Sequence, residues 1–211
     1  AQGGGGLVVL RSRGASRVAV SVGGLAFRAY PAGPAESNLF VDFVALPWNY
    51  EAGTPITAVA QDEAGNITSR AVAVEVKARR FKTDTIEIKD EFLERKLPEL
   101  LPERAGTIAP GDLLAAFLTV NRDKRRQAEE AKRAVAAKTQ PRPLWEGVFV
   151  QPRNTQVFSN FAETRTYRYH GLDVDTQIHF GYDLAAVRQG PVPAANSGVV
   201  VFAGPLSIYG N

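Results

Sequence analysis

The amino-acid sequence predicts a mainly β protein with a helical segment in its middle. Short apolar runs separated by Gly, Pro and Ser fill residues 7–80, and similar runs return after Pro143. Between these two regions, apolar residues recur at the spacing of a helix. The chain has 211 residues, which is enough for one or two domains of about 100 to 200 residues each.

The first predicted elements are a flexible leader and a set of short strands. Residues 1–6, AQGGGG, carry too few side chains to build a core, so we expect them to be flexible. The apolar runs that follow are short and are bounded by turn-forming residues, as in packed antiparallel strands. They lie at residues 7–10, 18–22, 25–30 and 39–46.

The clearest strand pair is a hairpin over residues 56–76. Its turn contains three residues that favour tight turns: Asp62, Gly65 and Asn66. Its second arm carries three valines at the period of two that places side chains on one face: Val72, Val74 and Val76. The turn resembles the terminal hairpin of bacterial immunoglobulin-like domains, in which Asp-x-Ala-Gly-Asn recurs. The resemblance implies an immunoglobulin-like β-sandwich over residues 7–80, acting as a spacer or binding module, although a plain hairpin also accounts for these residues.

Residues 81–140 are predicted to form a helical linker. Apolar residues recur at helical spacing in two stretches: Phe92, Leu93, Leu97, Leu100 and Leu101, then Leu113, Leu114, Phe117 and Leu118. Pro98 predicts a kink or an early end of the first helix, and Asp112 is a candidate N-cap of the second. Pro141 and Pro143 then end the helical segment and mark a domain boundary.

Charge and composition limit the classes of partner and of site. A net charge of +3 and a pI of about 9.3 indicate a mild preference for polyanionic surroundings such as a bacterial wall. The basic excess is concentrated in residues 121–140, which we interpret first as a solvated helix face and second as a surface for an anionic polymer or lipid. The absence of cysteine excludes disulfides and thiolate metal sites.

Residues 141–211 are predicted to form a partial antiparallel β-sheet. Strand-like runs occur in LWEGVFVQP, TQVFSNF, TRTYRYHGLDVDTQIHF and SGVVVFAGPLSIYG. The third run is long enough for two strands that are joined near Gly171. The last run is an apolar strand that would need a further strand to pair its edge and cover its face, which predicts either more chain or a second polypeptide there.

A histidine and an aspartate near the end of the third run form a candidate metal site. His179 and Asp183 are four residues apart, with Gly181 midway between them. On a straight strand such residues lie about 13 Å apart, which is too far to share one metal ion. A bend at Gly181 would bring them together as two ligands of zinc. By itself this spacing is weak evidence, because a single histidine on a strand is more often a core or surface residue than a metal ligand.

A catalytic zinc ion needs three protein ligands and a water, and the chain contains two histidines and no cysteine. His170 is the internal candidate for the third ligand. A hairpin turn at Gly171 and Leu172 would place His179 opposite position 164 and would leave His170 at the tip, about 20 Å away. We therefore expect His170 to be an exposed turn residue.

The segment from Phe158 to Asn211 resembles the first half of the catalytic domain of lysostaphin-type (LytM-like) zinc endopeptidases. The parts occur in the order seen in that family: a Ser-x-Phe pair at Ser159 and Phe161, an Arg-rich strand, a His-x-Gly-x-Asp-Leu-Ala core beginning at His179, a segment containing Pro and Ala, and a Gly-Val-Val strand. The resemblance implies that His179 and Asp183 are two of the zinc ligands. It also implies that the third ligand and the catalytic base are histidines of a His-x-His pair, which we expect beyond Asn211.

The resemblance implies a zinc metallo-endopeptidase that cleaves peptide cross-links of peptidoglycan in the periplasm or outside the cell. Its cofactor is Zn²⁺ and its partner is peptidoglycan, with no nucleic acid. The sequence begins with Ala1 and contains no methionine, which leaves room for a signal peptide or membrane anchor upstream. The chain by itself is expected to be inactive and to bind zinc weakly.

Two other functions remain open on the sequence alone. The chain could belong to a non-catalytic member of the same fold that acts as a cell-wall scaffold or hydrolase activator. Retention of both His179 and Asp183 speaks against this, because a non-catalytic protein has no need of metal ligands. Alternatively, the immunoglobulin-like segment could make the protein an adhesion or wall-binding module.

Overall fold

The computed structural model describes residues 1–210 and divides the chain into two compact units, Ala1–Phe81 and Lys82–Asn211. The protein is mainly β, with several sheets and a helical segment in the middle, and the predicted class is confirmed at that level. In the part of the chain that the structure describes, no helix has the length and apolar character needed to cross a membrane.

The N-terminal unit contains two antiparallel sheets. Its strands are β1 (Gly5–Arg11), β2 (Arg17–Val22), β3 (Leu25–Arg28), β4 (Tyr30–Ala32), β5 (Leu39–Ala45), β6 (Ile56–Gln61) and β7 (Ile67–Ala71). One sheet has the order β1-β5-β4 and the other has the order β3-β2-β6-β7. Most of the predicted strands are therefore present.

A single hydrophobic cluster fills the N-terminal unit. It includes Val20 and Val22 from β2, Val44 from β5 and Ile56 from β6, so residues from both sheets share one core. Alternate residues of β2 are buried, as the period of two requires. The buried carboxylate of Asp42 on β5 accepts a hydrogen bond of 3.1 Å from the backbone N–H of Val20, which ties the two sheets together.

Two features of this unit differ from the expectation. The glycine-rich leader is held in place, because the backbone N–H of Gln2 donates to Lys77 and β1 already begins at Gly5. The second arm of the hairpin is shorter than predicted, because β7 ends at Ala71. Val72 and Val76 pack on the core beyond that end, whereas Val74 is exposed.

The C-terminal unit combines two small sheets with three helices. Its strands are β8 (Thr83–Ile88), β9 (Gln156–Ser159), β10 (Glu163–Tyr169), β11 (Leu172–His179) and β12 (Asp183–Ala185). Its α-helices are α1 (Asp90–Leu100), α2 (Leu113–Leu118) and α3 (Arg125–Ala136). A π-helical segment, Thr119–Lys124, joins α2 to α3. The sheets have the orders β11-β10-β8 and β12-β9.

The helices pack on the β11-β10-β8 sheet and supply most of its core. Leu93, Leu97 and Leu101 are almost completely buried, and Phe117 contacts the ring of Tyr167 on β10 with 5.5 Å between ring centroids. Burial of each such leucine contributes about 1.5 to 3 kcal/mol relative to an exposed side chain. Residues that were expected to form a separate linker at 81–140 thus share a core with the C-terminal strands.

The details of this unit correct several predictions. The expected helical linker begins with strand β8, which pairs in parallel with β10, so the C-terminal sheet is not purely antiparallel. Helix α1 continues through Pro98 to Leu100, and Asp112 makes no side-chain capping hydrogen bond. The apolar runs at residues 144–152 and 197–204 are not strands.

Candidate metal centre

The hairpin formed by β10 and β11 positions His179. A two-residue turn at His170 and Gly171, both with positive φ, joins the strands. The register shifts at Tyr167, and as a result His179 lies opposite Glu163. The sequence-based register, which placed His179 opposite Thr164, was therefore wrong by one residue. The prediction that His179 lies at the open end of the hairpin and His170 at its tip is confirmed.

His170 takes no part in the candidate site. Its side chain is exposed, it stacks on Tyr169, and its Nε2 lies 3.1 Å from Oδ1 of Asp90. This agrees with the predicted exposed turn histidine.

The predicted bend between His179 and Asp183 is present. Strand β11 ends at His179 and β12 begins at Asp183, and the three residues between them lie outside both strands. The bend brings Nε2 of His179 to 3.3 Å from Oδ1 of Asp183. Gly181 does not adopt a positive φ, so the bend needs no left-handed conformation at this position.

The separation of these two atoms suits two ligands of one metal ion. Two bonds of about 2.0 to 2.1 Å that meet at a tetrahedral angle place their donor atoms about 3.3 to 3.4 Å apart. Nε2 of His179 is buried and makes no hydrogen bond to any described residue, including Asp183. A metal ion between the two side chains would give this nitrogen the partner that it lacks.

The second oxygen of Asp183 is held by an arginine. Nη2 of Arg165 on β10 donates a hydrogen bond of 2.7 Å to Oδ2 of Asp183, and Nε of the same side chain donates one of 3.3 Å to Oε1 of Glu163. Ser159, which pairs with Asp183 across β9 and β12, also hydrogen bonds to its carboxylate. Sequence reasoning missed Glu163 and Arg165, although both lie on alternate positions of the Arg-rich strand.

The local electrostatics keep both candidate ligands in the form that binds a metal. Burial and the nearby Arg165 guanidinium lower the pKa of His179, which favours the neutral imidazole. Burial acts to raise the pKa of Asp183, but the hydrogen bond from Arg165 and the positive charge of its guanidinium outweigh it and hold the pKa below its usual range. A neutral imidazole and an ionised carboxylate are the states required for coordination.

The helical segment contacts the face of the β10–β11 hairpin that carries His179, at a position closer to the hairpin turn. Asp175 and Gln177 share the face of His179 by strand alternation. The carboxylate of Asp175 accepts hydrogen bonds from the side chains of Asn121 (2.7 Å) and Arg122 (2.9 Å), both in the π-helical segment. The strand that carries His179 is thus fixed by a polar network as well as by the apolar core.

No set of three or more His, Cys, Asp or Glu side chains within residues 1–210 is placed to hold a metal ion. His179 and Asp183 are thus two candidate ligands, fewer than the three protein ligands of a catalytic zinc site. In the comparisons with known proteins, no family model matches the chain. No curated protein matches it either.

Proposed function

We propose that this chain contributes two ligands, His179 and Asp183, to the zinc site of a peptidoglycan endopeptidase. The observation that carries the proposal is the convergence of Nε2 of His179 and Oδ1 of Asp183 at 3.3 Å without a hydrogen bond between them. The order of motifs between Phe158 and Asn211, which resembles that of lysostaphin-type enzymes, supports the reaction class.

The residues of the candidate site have separate tasks in this proposal. His179 and Asp183 hold the ion, and Arg165 orients the carboxylate. Bound zinc supplies a Lewis acid for the scissile carbonyl and lowers the pKa of a coordinated water towards neutrality. The third ligand and the base come from outside the described residues, because His170 lies at the other end of the hairpin.

The substrate and location follow from the same proposal. Peptide cross-links of peptidoglycan are the substrate class, and the periplasm or the cell exterior is the location. The N-terminal unit is an immunoglobulin-like spacer or wall-binding module. Its two antiparallel sheets around one shared core support this assignment, as does the turn in which Asn66 donates its backbone N–H to the side chain of Asp62 at 2.8 Å.

The test is release of soluble peptide from purified peptidoglycan by the natural full-length protein. We expect release that a chelator abolishes and that added Zn²⁺ restores. His179→Ala should reduce the rate by at least about 100-fold, because loss of a direct metal ligand should exceed the about 10- to 100-fold effect of losing a group that only supports a ligand. His170→Ala is the matched control and should leave the rate unchanged, since His170 is exposed and remote from the site. Zinc-loaded protein that releases no peptide would contradict the endopeptidase assignment.

The second candidate is a non-catalytic scaffold or hydrolase activator at the cell wall. The observation that favours it is the engagement of Asp183 by Arg165, which gives this carboxylate a partner without any metal. A scaffold would sediment with purified peptidoglycan, would leave its cross-links intact, and would do so equally well in the His179→Ala variant.

A further inference from the structure

Glu163 is a buried carboxylate that the proposed chemistry leaves without a task. Its side chain is 1% exposed, and Oε2 accepts no hydrogen bond from any described residue. Its partners are Nε of Arg165, 3.3 Å from Oε1, and Nζ of Lys82, 3.6 Å from Oε2. Burial of an ionised carboxylate is costly unless it is paired. The position of Glu163 directly opposite His179 raises the question of what this side chain does there.

Arg165 links Glu163 to the candidate metal centre. Its guanidinium spans two carboxylates: Nε faces Glu163 and Nη2 faces Asp183. The guanidinium is planar and its donors are fixed relative to one another, so holding Nε also sets the direction of Nη2. The Arg165 side chain is 18% exposed, which leaves it little freedom to reorient.

We propose that Glu163 is a positioning residue that acts through Arg165 on Asp183. By fixing the guanidinium, Glu163 keeps Oδ2 of Asp183 hydrogen bonded to Arg165. Oδ1 of Asp183 then faces His179 and can bind the metal ion. Partners that hydrogen bond to a ligating carboxylate typically change metal affinity by about 10- to 100-fold when they are removed. The inference rests on the proposed metal site, and it assigns the chain a supporting pair, Glu163 and Arg165.

The first measurement is a Zn²⁺ titration of the 211-residue chain followed by NMR of the histidine rings. The chain has two histidines and no cysteine, so each ring is assigned with one variant and no thiolate competes for the metal. His179 signals should shift and saturate, whereas those of His170 stay in place. His170→Ala assigns the spectrum without touching the site.

Arg165→Lys is the principal variant because it preserves charge. A lysine ammonium group is a compact point charge. It cannot reproduce the fixed geometry with which the Arg165 guanidinium donates to Glu163 and Asp183 at the same time. We expect zinc affinity at His179 to fall about 10-fold. Affinity within twofold of the parent would overturn the inference. Circular dichroism verifies folding, and Glu163→Gln, which keeps the size of the side chain, provides the same test with an expected loss of about 10-fold.

Lys82→Gln is the matched control for charge. Lys82 contacts the other oxygen of Glu163 and is not paired with Asp183. If Glu163 and Arg165 acted only through net charge, removing this cation would strengthen zinc binding, and Arg165→Lys would have no effect. Positioning predicts weakened affinity in Arg165→Lys and no strengthening in Lys82→Gln, because Lys82 contacts Glu163 and not Asp183.

A second readout needs no metal. The Nε–Hε signal of Arg165 in the metal-free parent should be resolved and slow to exchange, and Glu163→Gln should broaden it and speed its exchange. A rapidly exchanging Arg165 signal in the parent would overturn the positioning role whether or not zinc binds. If this signal is protected but His179 never responds to zinc, the proposed metal site fails while the Glu163–Arg165 pair stands.

Discussion

At the scale of single residues, the candidate site depends on the bend that follows His179. Three residues leave the strand before Asp183, and this break is sufficient to bring the two side chains to 3.3 Å. Gly181 lies in the middle of the bend. It neither adopts a left-handed conformation nor closely approaches another part of the chain.

We expect Gly181→Ala to be tolerated. A Cβ at this position would lie 4.0 Å from Cε1 of His179, which is an ordinary contact. The free energy of unfolding should therefore change by no more than about 0.5 kcal/mol, measured by urea denaturation. The matched control is Gly171→Ala in the hairpin turn, where φ is +79° and an alanine costs about 1 to 2 kcal/mol. A larger loss at Gly181 than at Gly171 would contradict this account of the bend.

The spacing of His179 and Asp183 showed only how a break in the strand could make the two side chains converge, and the resemblance to lysostaphin-type enzymes carried the prediction of the pair. Glu163 and Arg165 could not be predicted with the same reasoning. Their relation to the site depends on the register of the hairpin, and the shift at Tyr167 moves that register by one residue. A register shift of one residue cannot be recognised from the pattern of apolar residues in the sequence.

At the scale of elements, the π-helical segment holds the hairpin through Asp175. Asn121 is buried, donates its side-chain amide to Asp175 and accepts a hydrogen bond of 2.8 Å from Arg125. Arg122 pairs with the same carboxylate and also donates to the backbone carbonyl of Val174. This network connects the helical segment to the strand that ends at His179.

The Asp175 network predicts a loss of stability in acid. Burial acts to raise the pKa of Asp175, but hydrogen bonds from Gln177, Arg122 and Asn121 outweigh it and lower the pKa. A carboxyl group whose pKa is lower in the folded state stabilises the fold above its unfolded pKa. That contribution disappears as the pH falls below about 4.

The variant that isolates this contribution is Asp175→Asn. At pH 7 it should lower the free energy of unfolding by about 1 to 3 kcal/mol, because a charged acceptor of several hydrogen bonds is lost. Below pH 4 the difference from the parent should shrink. Urea denaturation from pH 3 to pH 7 measures both quantities, and a difference that stays constant with pH would contradict the assignment.

At the level of single elements, sequence patterns predicted correctly those helices and hairpins that form between residues close together in the sequence. The β10–β11 hairpin has a glycine turn, and α1 and α2 have apolar positions at helical spacing. The apolar runs near Val148 and Val200 were predicted as strands, yet these side chains are exposed and neither run is a strand in the described chain. The run near Val148 makes a single backbone hydrogen bond, from Val150 to the carbonyl of Ala195, instead of a strand ladder. An apolar run indicates that a segment can form a strand, whereas pairing depends on partners that are distant in sequence.

At the scale of the whole molecule, the division of the chain falls after Phe81. The helical segment belongs to the C-terminal unit because Leu93, Leu97 and Phe117 form a core with Tyr167. Most of the basic side chains in residues 121–140 form ion pairs with acidic side chains of the same unit, either across elements or along the helix surface. The ion pairs are Arg122–Asp175, Lys124–Glu103, Arg126–Asp123, Arg126–Glu130 and Lys132–Glu129. This favours the interpretation of a solvated helix face over that of a polyanion-binding surface.

The shared core predicts which fragments fold. A fragment of residues 82–211 should give cooperative thermal unfolding and dispersed NMR signals. A fragment of residues 141–211 should be unfolded, because the helices supply most of the buried apolar residues of this unit. A fragment that starts at residue 90 is the matched control, since it keeps the helices and lacks β8, and it should be less stable than 82–211. A folded 141–211 fragment would contradict this division.

The most direct test of the metal centre is anomalous X-ray scattering from a crystal of the protein grown with Zn²⁺. We expect an anomalous peak between His179 and Asp183, within about 2.0 to 2.2 Å of Nε2 and Oδ1, that is absent from crystals of the His179→Ala variant. A zinc-containing crystal with no peak at this position, or with zinc bound only at His170 and Asp90, would contradict the central claim.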